Sequence, residues 1–220
     1  MPDIISFKML GVAGVLSYAM ARFATKAGVI GYSRYVVVSV PLSGMPQMPR
    51  NFKARALSLA ELRDHEIDVP SETQAARFAQ GLTCLGAFNA KGALVGVNWV
   101  GTTDFTENEI HVRFGLPRGA GWDCGLWIAP RHRLGRAFAA LWAATADWMR
   151  ARGCDASISW IADYNLPSLL SHRRMGAVNI CHMTAIRFFR WQYVGQGKPK
   201  LIRVDGPNPT KLDLVMAKAN

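Results

Sequence analysis

The chain has 220 residues, and half of them are hydrophobic, which excludes a chain disordered throughout and is enough to form one domain with a single core. Its 26 lysines and arginines outnumber 15 acidic residues and give a formal net charge of +11. This charge favours anionic partners, namely a nucleotide-bearing cofactor, an acidic carrier protein, an anionic membrane surface or nucleic acid. The sequence lacks the spacings of zinc fingers, RNP boxes and helix-turn-helix motifs, which ranks nucleic acid below a membrane surface and a cofactor as a partner.

The four cysteines occur singly in apolar, strand-like segments, without Cys-x-x-Cys pairs or neighbouring metal ligands: Cys84, Cys124, Cys154 and Cys181. Isolated cysteines of this kind predict a reduced, cytoplasmic setting and no bound metal. We expect each of them to be a small buried hydrophobic side chain.

The amino end, residues 4–21, is unusually apolar, and cations follow it at Arg22 and Lys26. Asp3 near the start argues against a secretory signal, and Lys8 argues against a spanning helix, which needs roughly twenty strongly apolar residues. The pattern favours a helix that lies on an anionic membrane surface. A helix packed on the protein's own core, or on a second subunit of a homodimer, fits the pattern equally well.

Beyond the amino end, strand and helix patterns alternate and predict a mixed α/β chain. Ser58 and Glu61 have the spacing of a capping box that begins a helix, and residues 89–92 form an evident hairpin turn. The predicted strands cover residues 35–40, 53–57, 82–88, 94–100, 109–114, 122–128 and 156–162, with one or two more within 180–194. Further helices are predicted over residues 71–81 and 135–152, and a polar tail from residue 195 onward.

Residues 127–138 read Trp-Ile-Ala-Pro-Arg-His-Arg-Leu-Gly-Arg-Ala-Phe, in which a strand passes through a proline and a basic turn into a long helix. The first turn of that helix leaves main-chain N–H groups unpaired, and the helix dipole adds positive potential, so the turn favours a bound phosphate. Arg131, Arg133 and Arg136 add forked cationic donors, and Gly135 lets a phosphate approach the backbone. We interpret this turn as a pyrophosphate-binding loop; the alternative is an ordinary connection with solvated arginines.

A second segment, residues 165–177, reads Asn-Leu-Pro-Ser-Leu-Leu-Ser-His-Arg-Arg-Met-Gly-Ala. Together the two segments resemble the GNAT superfamily of N-acyltransferases. The loop of that family reads Arg/Gln-x-x-Gly-x-Gly/Ala, and its later helix reads Asn-x-x-Ser/Ala-x-x-x-Tyr-x-x-x-Gly-Phe. Gly135 and Ala137 match the small loop positions, whereas Ser168 and Gly176 match the second motif, as does the asparagine that opens it.

Three positions depart from the family's pattern. His132 replaces the usual Arg or Gln, although Arg131 and Arg133 beside it supply positive charge. His172 replaces the usual tyrosine, and Ala177 replaces the usual aromatic residue. These departures leave open a non-catalytic module that binds thioesters or a membrane surface.

The resemblance implies a GNAT-like fold with a mixed, mostly antiparallel central sheet flanked by helices, and an acyl-coenzyme A thioester as co-substrate. We expect an amino-terminal extension over residues 1–50, with its membrane or dimer contact in 1–34, then an acyltransferase domain over 51–197 and a polar tail over 198–220. By resemblance, the thioester contacts Leu126, Trp127, Ile128, Arg131, His132, Arg133, Leu134, Gly135, Arg136, Ala137, Asn165 and Ser168.

Acyl transfer from a thioester needs a proton donor for the departing thiolate and a base for the amine. His172 occupies the position of the family's tyrosine and is the predicted general acid, the alternative being a surface residue of the basic run that follows it. Glu109, His111 and Asp123 are the candidate bases. Strand alternation predicts Glu109 and His111 on one face of their strand, where they are able to act as a coupled pair.

Residues 133–142, together with 165–172, resemble a bacterial subgroup of the family that serves envelope lipid or polysaccharide assembly. With the apolar amino end, this resemblance predicts an enzyme that moves a fatty acyl group from a CoA or carrier-protein thioester to a lipid-like amine. A bacterial ceramide synthase, which acylates a sphingoid base at the inner face of the cytoplasmic membrane, is the most specific form of this prediction. The alternative is a soluble acetyltransferase that acts on an amino sugar or another small amine.

Overall fold

The computed structural model describes residues 4–27, 30–107, 109–133 and 135–216. Its helices are α1 (Ile4–Ala27), α2 (Leu59–Arg63), α3 (Ser71–Ala79), α4 (Ala137–Arg150) and α5 (Leu166–Arg174). Its strands are β1 (Ile30–Pro41), β2 (Lys53–Leu57), β3 (Thr83–Phe88), β4 (Leu94–Gly101), β5 (Phe105–Glu107), β6 (Val112–Gly115), β7 (Ala120–Asp123), β8 (Trp127–Ile128), β9 (Ala156–Ala162), β10 (Val178–Phe188), β11 (Trp191–Val194), β12 (Leu201–Arg203) and β13 (Thr210–Asp213).

The chain forms two compact units. Unit 1 consists of Met1–Ser39, Asp104–Pro117 and Trp160–Asn220, and unit 2 consists of Val40–Thr103 and Arg118–Ser159. Each helix within the described residues is too short or too polar to cross a membrane.

In unit 2, β2, β3 and β4 form an antiparallel meander, and β7 and β8 both pair with β4. The first half of β9 pairs with β7 in parallel. Helix α4 packs on β3 and β4, where Leu141 and Ala140 meet Val95 and Ala87 in a buried cluster. This packing fixes the start of α4 relative to the end of β8, because Ile128 and Ala137 contact the same cluster.

In unit 1, β1, β10, β11 and β12 pair antiparallel in that order. A separate small sheet joins β5, β6 and β13. Helix α5 packs on β1 through Leu169, which meets Val36 and Val38. The aromatic rings of Phe105 and Phe114 both stack on Trp160, at centroid distances of 5.4 and 5.3 Å.

The predicted fold class, a mixed α/β arrangement of mostly antiparallel strands flanked by helices, is confirmed. The capping box is confirmed as well, because Ser58 Oγ accepts from the Glu61 amide and the Glu61 carboxylate accepts from the Ser58 amide. Asn89 closes the predicted hairpin turn by accepting from two amides that follow it.

Three local expectations were wrong. The predicted strand over 122–128 is interrupted, since residues 124–126 separate β7 from β8. The predicted strand over 109–114 begins only at Val112, and the residues before it form a turn. The expected polar tail carries two strands, β12 and β13, because each pairs with a distant strand, β11 and β6 respectively.

Candidate functional site

The interruption between β7 and β8 is a β-bulge in unit 2. Asp123 pairs with Val100 and Trp127 pairs with Val97, so three residues of one strand face two of the other. Gly125 takes a φ of +124°, a conformation that few other residues adopt. The amides of Gly125 and Leu126 donate no hydrogen bond within the described residues. The bulge therefore presents two unpaired main-chain N–H groups, one of them on Leu126, the first residue that the resemblance predicts to contact the thioester.

The predicted phosphate loop follows β8 directly. A single 3₁₀ turn, Pro130–His132, leads into a turn at Arg133 and Gly135, and α4 begins at Ala137, two residues later than predicted. No side chain within the described residues caps α4, so its first amides keep the unpaired donors of a helix start. A Cβ at Gly135 would lie 3.3 Å from the His132 carbonyl oxygen, so the turn is tight at this position.

Three arginines surround this turn. Arg133 Nε donates to the Ile128 carbonyl oxygen at 3.2 Å, which ties the turn back to β8. The side chains of Arg131 and Arg136 are exposed, and their guanidinium groups form no hydrogen bond or ion pair within the described residues. The loop thus combines one arginine that shapes the turn with two whose guanidinium groups are free to meet an anion. Leu134, also predicted to contact the thioester, lies outside the described residues.

A residue missed by the sequence reasoning lies against the bulge. Arg77, on α3, packs its guanidinium over the Trp99 ring, 5.4 Å from the centroid. A Cβ at Gly125 would lie 2.6 Å from Arg77 Nη1, so this glycine makes room for the arginine. The buried Nη1 of Arg77 has no hydrogen-bond partner within the described residues. No local sequence signal points to this contact, because it depends on how α3 packs on the sheet.

Asp123, one of the three candidate bases, is the last residue of β7 and is only 6% exposed. Ser159 on β9 donates its hydroxyl to Asp123 Oδ2 at 2.9 Å. A buried carboxylate held by a hydroxyl has a fixed orientation, which suits a base or a positioning group more than a solvated strand end.

Helix α5, in unit 1, carries the second motif. The Asn165 side chain accepts from the Ser168 amide at 3.4 Å and caps the helix, and Pro167 lies in the first turn. The ring nitrogen Nδ1 of His172 lies 2.8 Å from the Ser168 carbonyl oxygen and 3.5 Å from its hydroxyl. Asn165, Ser168 and His172 therefore lie together along one helix, and His172 is buried there rather than solvated in a basic run.

Glu109 and His111 do not share a strand face, so that expectation was wrong. Both lie in the turn before β6, and His111 has a positive φ of 39°. His111 Nε2 contacts the Gly206 carbonyl oxygen at 3.1 Å. Glu109 instead lines a cavity of about 350 Å³ in unit 1. Desolvation by burial, with a smaller contribution from the Glu109 charge, raises the pKa of Tyr35 to about 12.

Leu126, Trp127 and Ile128 lie in unit 2, directly before the phosphate loop in the chain. Asp123 lies in the same unit, at the end of the preceding strand β7. In unit 1 the structure brings together Asn165, Ser168 and His172, whereas Glu109 and His111 occupy a different turn.

Comparison with known proteins gives structural matches alone, since no protein-family model and no curated protein matches the sequence. A conserved protein of unknown function from Staphylococcus epidermidis matches with 9% identity and a TM-score of 0.51, over 78% of this chain and 67% of that one. A GCN5-related glucosamine N-acetyltransferase region of a fungal multi-domain β-N-acetylglucosaminidase matches with 15% identity and a TM-score of 0.51, over 78% of this chain and 22% of that one.

A tandem GNAT protein from the clavulanic acid pathway matches with 16% identity and a TM-score of 0.47, over 76% of this chain. This chain spans 58% of the length of that protein. The match to the fungal glucosamine N-acetyltransferase region, at a TM-score of 0.51, shows that the fold of this chain is similar to that of a GCN5-related N-acetyltransferase.

Proposed function

We propose that this protein is an acyl-CoA-dependent N-acyltransferase of the GNAT type. The observation that carries the proposal is the phosphate loop, in which an uncapped helix start and two unengaged arginines directly follow a bulged strand. Helix amides and arginine forks are the donors that proteins use for a diphosphate. An ordinary solvated connection does not need a bulge with free amides immediately upstream.

Coenzyme A has the chemistry that this loop fits. Its diphosphate carries negative charge, and Arg131 and Arg136 supply cations without competing carboxylates within the described residues. Gly135 keeps the turn narrow at the backbone. We propose that the first amides of α4 and these two arginines hold the diphosphate, with His132 and Arg133 shaping the loop. Asn165 and Ser168 stay predicted contacts.

The bound thioester supplies an activated acyl carbonyl. On unit 2, the amides of Gly125 and Leu126 are the groups we propose to polarise a carbonyl oxygen, because they are the unused donors of the bulge. Asp123, oriented by Ser159, is the base we prefer over Glu109 and His111. On unit 1, His172 is the proposed proton donor; its Nδ1 faces a carbonyl oxygen, so the ring donates there and any transferable proton belongs to Nε2.

A lipid-like amine is the acceptor that we propose, and helix α1 supports it. After a kink at Gly11, this helix exposes large apolar side chains at spacings of four, four and three residues: Val12, Leu16, Met20 and Phe23. Such spacing places them on one helical face, and Arg22 lies beside it. An exposed apolar face of this kind suits an interfacial helix. An enzyme held at a membrane surface meets an amphiphilic amine without extracting it through water.

The length of the acyl chain on the thioester distinguishes this proposal from its alternative, a small-substrate acetyltransferase. We expect palmitoyl-CoA to be consumed at a higher kcat/KM than acetyl-CoA, with an amphiphilic amine such as sphinganine as acceptor and the amide product identified by mass spectrometry. Preference for acetyl-CoA and glucosamine would instead support a small-substrate acetyltransferase, the activity named for the fungal region of similar fold. Binding of both thioesters without turnover of any amine would support a non-catalytic module.

A further inference from the structure

A second apolar surface lies on the sheet of unit 1, on strands that carry none of the predicted site residues. Five large side chains on β10, β11 and β12 are 41% to 59% exposed: Ile186, Phe188, Trp191, Tyr193 and Leu201. We call these five residues the outer face. Strand register places them on one side of the sheet, because Ile186 pairs with Tyr193, Phe188 pairs with Trp191, and Tyr193 pairs with Leu201.

The alternate residues of the same strands are buried. Ala185, Gln192, Val194 and Ile202 are at most 5% exposed, so the sheet already covers a core on its inner side. A sheet with one buried side normally carries polar residues on the other. Here the solvent side is apolar and aromatic instead, and a contiguous surface of this kind marks an interaction site.

Positive charge flanks the outer face. Residues 188–204, which include four of its five side chains, contain four lysines and arginines and no acidic residue: Arg190, Lys198, Lys200 and Arg203. Asp205 is shared by Arg203, at 2.9 Å, and Arg190, at 3.8 Å. Lys198 and Lys200 are exposed and form no ion pair within the described residues. The rim of this apolar surface is therefore cationic.

We propose that the outer face docks on an anionic phospholipid bilayer. Tryptophan and tyrosine side chains favour the membrane interface, where an apolar ring and a polar edge are both satisfied. Lysines and arginines at the rim are attracted by acidic headgroups. A second copy of the chain is disfavoured, because it would bring two cationic rims together. A broad face spread over three strands suits a continuous surface more than a narrow peptide.

Vesicle sedimentation tests the proposal. The protein is expected to bind phosphatidylcholine vesicles containing 30% phosphatidylglycerol, and to bind pure phosphatidylcholine at least tenfold less. The triple variant Phe188→Ser/Trp191→Ser/Leu201→Ser should lower the partition coefficient at least tenfold. These side chains are exposed, so the variant should keep the unfolding transition of the parent. Equal binding by the variant and the parent would overturn the proposal.

A matched variant on α1, Val12→Ser/Leu16→Ser/Met20→Ser, separates this surface from the amino-terminal helix. Trp191 supplies a direct readout, since brominated lipids should quench its fluorescence, and Trp191→Phe should lose that quenching while keeping the binding. Loss of binding in the α1 variant alone would overturn the proposal. Sedimentation velocity showing a dimer with Trp191 protected, or vesicle-independent capture of an acyl carrier protein by this face, would overturn it too.

The test stands apart from the proposed acyl transfer because it measures binding without turnover. Transfer to a water-soluble amine in the absence of vesicles should be equal in the outer-face variant and the parent. If transfer is missing in both while vesicle binding follows the outer face, acyl transfer fails and the membrane surface stands. If the outer-face variant binds vesicles as well as the parent does and transfer proceeds, the membrane surface fails and acyl transfer stands.

Discussion

The ring nitrogen Nδ1 of His172 lies 2.8 Å from the main-chain oxygen of Ser168, one helical turn earlier on α5. A carbonyl oxygen only accepts, so Nδ1 carries a hydrogen and the ring plane is fixed by its own helix. A general acid here gives up its proton from Nε2, so the donating ring is the imidazolium, protonated at both nitrogens, and the transfer leaves the neutral Nδ1–H tautomer. The contact with Ser168 thus selects the tautomer that remains, for a residue that the sequence placed only by its position in a motif.

Replacing His172 by glutamine tests the proton-donor role. We expect kcat to fall roughly 100-fold, the lower end of the range for general acid catalysis, with KM for the acyl-CoA nearly unchanged. Steady-state kinetics measures both constants, and circular dichroism checks folding. His182→Gln is the matched control, because His182 is an exposed histidine on β10 of the same unit. Turnover that is equal in His172→Gln and the parent would remove this residue from the chemistry.

Arg131 and Arg136 are expected to act through the diphosphate. Alanine at either position should raise KM for acyl-CoA about tenfold, because a hydrogen bond to a charged group contributes roughly 1.5 kcal/mol or more. Arg118→Ala removes the same charge from an exposed site in unit 2 and should leave KM close to the parent value. Acyl-pantetheine lacks the diphosphate, so the KM for acyl-pantetheine should be the same in the loop variants and in the parent. An equal loss with acyl-pantetheine would contradict the role.

Local signals predicted much of the fold. Ser58 and Glu61 begin α2 through contacts that span three residues, and Asn89 closes its own turn, so a short sequence window contains each cause. The loop before α4 is likewise determined by residues close together in the sequence. Its residues are consecutive, and a proline and a glycine set where the strand ends and the helix begins.

The parts that sequence reasoning missed depend on distant residues. His111 leaves the predicted strand in a turn that contacts Gly206, which lies 95 positions away. Arg77 meets Gly125 only because α3 and the bulge belong to one packed unit. Strand β13 forms by pairing with β6, which lies about a hundred residues earlier, so its own composition reads as a tail. The hydrophobic periodicity of a segment does not show which distant strand or helix it will contact.

Gly125→Ala is expected to destabilise unit 2. At a φ of +124° a Cβ is strained, and it would also lie 2.6 Å from Arg77 Nη1. Backbone strain of this kind costs on the order of 1–3 kcal/mol, before any clash with the arginine. Urea unfolding measures the change. Gly81→Ala is the control, since Gly81 has a φ of +80° but no atom within 4 Å of the added Cβ. An equal loss of unfolding free energy in the two variants would show that the Arg77 side chain moves aside without cost.

Cys84 is expected to resist alkylation in the folded protein. Desolvation by burial raises the pKa of this thiol to about 12, although the positive charge of Arg77 opposes the shift. At pH 8 roughly one thiol in 10⁴ is then ionised, and the thiolate is the reactive form. Iodoacetamide should therefore label Cys181, which is only partly buried, before Cys84, with peptide mass spectrometry giving the order. Arg77→Met removes the opposing charge and should slow Cys84 further, whereas Arg118→Met should not. Labelling of Cys84 as fast as Cys181 in the native state would show that β3 opens to solvent.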